Sequence, residues 1–104
     1  MDKISKLRRF IEKKPEDPFP RYGLAMEYKR LERNAEAIEA FGDLLERFPD
    51  YTAAYYHYAG TLVRAGRQEE ALQTYRRGME VADANGDAHA KEELEAAMNE
   101  IADE

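Results

Sequence analysis

Apolar residues recur at spacings of three and four along most of this chain, and clusters of proline, glycine and short polar residues interrupt them at near-regular intervals. The interruptions at Pro15 to Pro20, Asn34, Pro49 with Asp50, Gly66, and Asn85 to Asp87 leave segments of roughly three to five helical turns each. That is helix length rather than strand length. The pattern predicts six helices, near residues 2–14, 18–31, 35–48, 52–65, 68–84 and 88–102. Asp17 before Pro18 reads as an N-cap followed by proline in the first turn, and Asn34, Asp50 or Thr52, and Asp87 read as caps of later helices. Gly66 and Gly86 suit the left-handed residue that stops a helix. Connections this short set neighbouring helices antiparallel.

Composition points the same way. Sixteen Ala, 15 Glu and 8 Leu stand against nine β-branched residues, so the expected class is all-α. At 104 residues the chain is one domain, 1–104, around one core. The absence of cysteine excludes a disulfide framework and thiolate metal sites. With 22 acidic and 16 basic residues and a net charge of −6, general capture of nucleic acid is disfavoured. No apolar run approaches the roughly 20 residues of a spanning helix. Residues 1–14 lack the apolar stretch of a secretory signal, so a cytoplasmic location is expected.

The chain also repeats itself. A single shift lays Tyr22 on Tyr56, Ala25 on Ala59, Arg30 on Arg64, Arg33 on Arg67, Glu36 on Glu70 and Ala37 on Ala71. Tyr28 with Leu62, Ile38 with Leu72, Phe41 with Tyr75 and Leu45 with Met79 follow in step. Run backwards, the shift lays Ile4, Leu7, Phe10, Ile11 and Pro15 over Ile38, Phe41, Leu44, Leu45 and Pro49. The expected order is therefore a half-repeat at 2–14, full repeats at 18–51 and 52–85, and a capping helix at 87–102.

The residues that carry this period are Leu24, Ala25, Tyr28, Ala37, Phe41 and Pro49, then Tyr58, Ala59, Gly66, Ala71 and Tyr75. Over about residues 18–84 the set resembles the tetratricopeptide repeat family. It departs from the family pattern where Arg21 and Tyr55 stand at the early tryptophan place, where Ala25 and Ala59 replace glycine, and where Asp83 replaces the terminal proline. The resemblance implies a right-handed superhelix of α-hairpins and a non-enzymatic module that binds a peptide or helix of another protein on its inner face. One subgroup of the family grips a C-terminal carboxylate with Lys, Asn and Arg. Those places hold Tyr22, Met26, His57 and Asp87 here, with Lys91 the single match, so that clamp is not expected.

Packing arguments give the same picture independently. Two antiparallel helices approach to about 8–10 Å only where the side chains between them are short, which assigns Ala25 and Ala37 to one crossing. Leu24, Tyr28 and Leu31 should face Ile38, Phe41 and Leu45, and Tyr58, Leu62 and Ala65 should face Leu72, Tyr75 and Met79. Ala90, Leu94, Ala97, Met98 and Ile101 give the last helix one apolar face.

A second stripe remains unexplained by these cores. Phe19, Tyr22, Met26 and Arg30 lie nearly opposite Leu24 and Tyr28 on the helical wheel, and Ala53, Tyr56, Gly60, Val63 and Arg64 are their counterparts. Side by side they form a trough with Lys29, Arg30 and Arg64 at its edge, which predicts a protein or peptide partner that is acidic and carries an apolar anchor. Gly60 inside a helix suggests close approach of a neighbouring helix or a ligand. The competing expectation is structural, with the same surface joining copies of this chain instead of leaving it a monomer.

No catalytic, metal or cofactor site is expected. His57 and His89 lie on different predicted helices, Ser5 is the sole serine, and no glycine-rich phosphate loop is present. Residues 1–14 carry a net charge of +4 and residues 83–104 carry −7. The basic end reads as a helix covering the first hairpin rather than a membrane or nucleic-acid contact, and the acidic end as a solvated face.

Overall fold

Six helices form among the described residues, namely α1 (Lys3–Lys13), α2 (Pro18–Arg30), α3 (Asn34–Arg47), α4 (Ala53–Arg64), α5 (Gln68–Ala84) and α6 (Ala88–Ala102). Each end lies within about one residue of its expected place. The computed structural model describes residues 2–102; Met1, Asp103 and Glu104, the last two counted above in the acidic end, lie outside the described residues.

Local chemistry accounts for the boundaries. The Asp17 side chain accepts from the Phe19 amide at 3.0 Å, with Pro18 as the first helical residue, and Asp87 accepts from the Ala90 amide at 3.0 Å. Asp2 does the same for α1, accepting from Ser5 at 2.7 Å. Three helices stop alike: the amides of Arg33, Arg67 and Asp87 donate back to the carbonyls of Tyr28, Leu62 and Ala82, and the residue before each has positive φ. That residue is Gly66 and Gly86 in two cases, and Glu32 at φ 60° in the third.

Asn34 is not a cap, contrary to expectation. It is the first residue of α3, after Arg33, and its buried Oδ1 has no partner. Neither α3 nor α5 has a side-chain cap; at their starts Arg33 forks onto Glu36 and Arg67 forks onto Glu70 at 2.8 Å. Neither Asp50 nor Thr52 caps α4 through its side chain. The turn is tied down by Asn85, whose amide donates to the Asp50 carbonyl at 3.2 Å and the Thr52 hydroxyl at 3.0 Å.

Each helix packs on the next along the chain, and α4 also touches both α2 and α6. The result is two layers, α2, α4 and α6 on one side and α1, α3 and α5 on the other. Ala25 and Ala37 are fully buried, as are Ala59 and Ala71, which lets the backbones come together. Around them Tyr28, Phe41, Leu44 and Ala54 make one cluster, and Tyr55, Tyr75, Ala82, Leu94 and Ile101 another. Leu31 and Ala65 do not join the cores as expected. They are the C-cap residues of α2 and α4, with ψ of 1° and 0°, so the chain has left the helical wheel there and both are exposed.

Volume is conserved between the two hairpins by a swap. The repeat shift lays Arg21 on Tyr55 and Leu44 on Gly78. Leu44 is fully buried while Arg21 is partly exposed, whereas Tyr55 is the largest fully buried side chain and rests against Gly78. A Cβ at Gly78 would stand 2.6 Å from the Tyr55 Cβ and 3.1 Å from Leu94. The Tyr55 hydroxyl donates to the Pro49 carbonyl at 2.5 Å, which anchors the far end of the ring.

α1 contributes no fully buried residue, yet it is fastened at two points. Arg8 donates to the Tyr28 hydroxyl at 2.6 Å, and the Lys3 ammonium lies 3.5 Å from the buried Glu27 carboxylate. Two of its basic side chains thus serve the fold. No helix among the described residues is long and apolar enough to cross a membrane.

Two substitutions test this packing by urea denaturation. Gly78→Ala should lower stability by about 1–3 kcal/mol, the usual range for overpacking a rigid core site. Glu32→Gly should raise it by about 1 kcal/mol, because a left-handed residue with a Cβ is strained by that order. A neutral Gly78→Ala would show that Tyr55 is free to move aside.

Candidate functional site

α2 and α4 present their second stripe along the open side of the two layers, where two depressions lie end to end. The first, of about 770 Å³, runs from Lys3 and Leu7 of α1 across Phe19, Tyr22, Met26 and Arg30 of α2. The second, of about 370 Å³, holds Tyr56, His57, Gly60 and Val63 of α4 against Tyr75 of α5 and Ala97 and Glu100 of α6. Lys29 and Arg64 line both, so the two are one trough with a basic waist. Another depression of about 290 Å³, between α1, α2 and α3, is lined by Arg8, Arg21, Glu36, Glu39 and Asp43 and offers mostly self-compensating charge.

The trough's apolar residues differ in how they are held. Phe19 is 68% exposed and Tyr56 is 44% exposed. Tyr22 and Met26 are half-buried, packed on the first core cluster. The Tyr22 ring lies 5.2 Å from Tyr51 and 6.2 Å from His57, and Tyr56 meets His57 edge-on at 5.4 Å. Val63 leans into the core clusters of α4, α5 and α6, so it is wall more than floor. Gly60 has nothing of the chain within 4 Å of where a Cβ would point. The expected close approach of a neighbouring helix is therefore not seen at Gly60.

The basic edge is less basic than the sequence implies. Arg30 donates from Nε and Nη2 to Glu27 at 3.0 and 2.7 Å, and Lys3 approaches the same carboxylate. Glu27 is buried, and the Arg30 hydrogen bonds hold its carboxyl below the usual range. Arg30 is therefore spoken for. Lys29 instead places its Nζ 3.2 Å from His57 Nδ1, and Arg64 has no ion pair among the described residues. Burial first, then the neighbouring Lys29 and Arg64 charges, push the His57 pKa down, and burial with Arg64 lowers Lys29 as well.

Several contributors to the trough escape sequence reasoning. His57 registers there only as a mismatch to the carboxylate clamp, and Glu27 does not register at all, although its spacing of three from Arg30 signals a helical ion pair. Leu7 and Lys3 of α1, and Ala97 and Glu100 of α6, become walls only through tertiary packing.

The pH dependence of stability follows from His57. Its folded pKa lies below the unfolded value near 6.5, so between the two the unfolded chain binds more protons and stability falls as pH drops through that window. His57→Gln should flatten this part of the profile, above the range where carboxylates titrate. Gly60→Ala should stabilise the fold by about 1 kcal/mol, the intrinsic helix preference, because no neighbour opposes the methyl. Thermal melts at several pH values check both.

Comparisons with known proteins agree with this architecture. A family model described as tetratricopeptide repeat matches residues 22–88. The TPR repeat-containing protein YpiA of Bacillus subtilis is 33% identical over the whole chain, which spans 22% of that relative's length. The solution structure of a tetratricopeptide repeat domain protein from Salinibacter ruber is 38% identical, with a TM-score of 0.78 over 84% of this chain and 88% of that one. A solution structure of a Bordetella parapertussis protein, 22% identical, shares the fold with a TM-score of 0.83 over 98% of this chain and 89% of its own. With the internal period, the small-residue crossings and the layered hairpins in place, the chain belongs to the tetratricopeptide repeat family.

Proposed function

We propose that this protein is a non-catalytic interaction module, acting in the cytoplasm, that holds an extended or helical segment of a partner protein in the trough of α2 and α4. Tetratricopeptide repeats serve generally as protein-interaction modules, and the family membership established above supports that coarse role. The observation that carries the finer reading is the uncovered floor: Phe19 and Tyr56 face water, and Gly60 has open space above it. Exposed aromatics grouped on a concave surface are the usual anchors of an interface, because covering them releases water at about 25 cal/mol per Å². The repeat units at 18–51 and 52–85 set this floor, with the half-repeat and the capping helix closing its ends.

Charge narrows the partner. Glu32 and Glu100 border the depressions, but among the described residues no carboxylate lies within ion-pair distance of Lys29 or Arg64, so an acidic segment with an apolar or aromatic anchor complements the waist better than a basic one. Self-association through the same face is the competing arrangement, and sedimentation at moderate salt separates the two.

Phe19→Ala with Tyr56→Ala is the cleanest test, since Tyr22 and Met26 also hold the core. The double variant should keep wild-type helicity and stability and weaken binding of a capped acidic peptide containing one phenylalanine by at least tenfold, measured by calorimetry. Unchanged affinity would place the partner elsewhere, and a concentration-dependent mass that this variant abolishes would favour self-association.

A further inference from the structure

Three basic side chains from two helices line the second depression, Lys29 from α2 and His57 and Arg64 from α4, and Lys29 and Arg64 line the first as well. The other cations of the trough, Lys3 and Arg30, share the single Glu27 carboxylate. An ammonium can only donate, so in the Lys29–His57 pair at 3.2 Å the imidazole Nδ1 accepts and its remaining proton is on Nε2. The free protein thus keeps the waist at two positive charges by leaving His57 neutral.

We propose that Lys29, His57 and Arg64 are the seat for a carboxylate side chain of the bound acidic peptide, and that seating it adds a proton to His57. The inference rests on the peptide-groove reading above and assigns its central polar contact. A carboxylate placed among the three offers lone pairs to the Lys29 ammonium, the Arg64 guanidinium and the imidazole. Protonation at Nδ1 breaks the Lys29–His57 hydrogen bond and would set three cations together, which only an anion makes favourable. The carboxylate and the proton therefore enter together.

The surroundings of His57 fit this exchange. Tyr22 of α2 and Tyr56 of α4 pack on the ring, and Tyr75 of α5 lines the same depression. From α6, Glu93 acts on the imidazole from a distance in the direction of protonation, and Glu100 borders the depression. Glu93 itself lies 3.4 Å from His89, and no acidic group of the chain reaches Lys29 or Arg64 within ion-pair distance among the described residues. The seat is open to an anion from outside. Because the complex binds the extra proton, affinity strengthens as pH falls from the bound to the free His57 midpoint, until the peptide's own carboxylates protonate near pH 4.

The chain has two histidines, and His89, 84% exposed on α6, is an internal reference. The experiment follows both imidazoles by proton NMR from pH 4.5 to 8 in the free protein, with a saturating capped hexapeptide carrying one phenylalanine among glutamates, and with sodium phosphate alone. The peptide should raise the His57 midpoint by about one pH unit, equivalent to about tenfold tighter binding by the protonated form, and leave His89 in place. His57→Gln should remove the pH dependence of affinity, and Arg64→Gln should weaken binding about tenfold. Peptide-induced shifts at the Met26 and Val63 methyls with an unmoved His57 would overturn the seat and leave the groove standing. Silence at all of these signals would overturn the groove and the seat together. An equal His57 shift from phosphate alone would overturn the peptide seat in favour of a free-anion site.

Discussion

Close approach of helices at small residues is the constraint on which the rest depends. Ala25 against Ala37, and Ala59 against Ala71, let successive hairpins close, and Gly78 lets Tyr55 fill the second core. Each hairpin so formed buries one stripe and uses its flanks to join its neighbours. Among the described residues no element covers the inner stripe of α2 and α4, so an open surface there is a by-product of the packing rule.

Charge is distributed on the same plan. Ion pairs at a spacing of three lie at the entrances of α3 and α5, and Glu27 gathers Lys3 and Arg30 at the junction of α1 and α2. The pairs at α3 and α5, exposed on both sides, contribute little stability individually. Within the trough Glu27 engages Lys3 and Arg30, so the cations with no carboxylate at ion-pair distance among the described residues are Lys29 and Arg64, beside His57.

Much of the fold was legible in the sequence because its determinants are local. Proline, glycine and aspartate at the segment ends act within one turn, and the internal period exposes the paired alanines directly. The failures are positions where a side chain answers to something distant. Asn34 has the chemistry of a cap, but it is already the first helical residue, and α3 starts without a side-chain cap. Leu31 falls on the right face of the wheel, yet the helix ends one residue earlier. The exchange of Leu44 for Gly78 is invisible until Tyr55 is known to lie across from it. In the candidate site, nine of the ten stripe and edge residues line the trough and Ala53, the first residue of α4, does not, while Arg30 and Val63 are occupied by internal contacts and His57 has no signal of its own. Helical periodicity tells which face a residue is on; it does not tell which neighbour neutralises or covers it.

The central claim is that the inner face of α2 and α4 stays uncovered in the free protein, and a soluble paramagnetic relaxation agent measures this directly. Protons of Phe19, Tyr56 and Gly60 should relax strongly, while those of Phe41 and Tyr55 stay protected, and the pattern should not change between dilute and concentrated samples. Protection of Gly60 and Tyr56 comparable to that of the core, whether by the chain itself at low concentration or by a second copy at high concentration, would contradict the account.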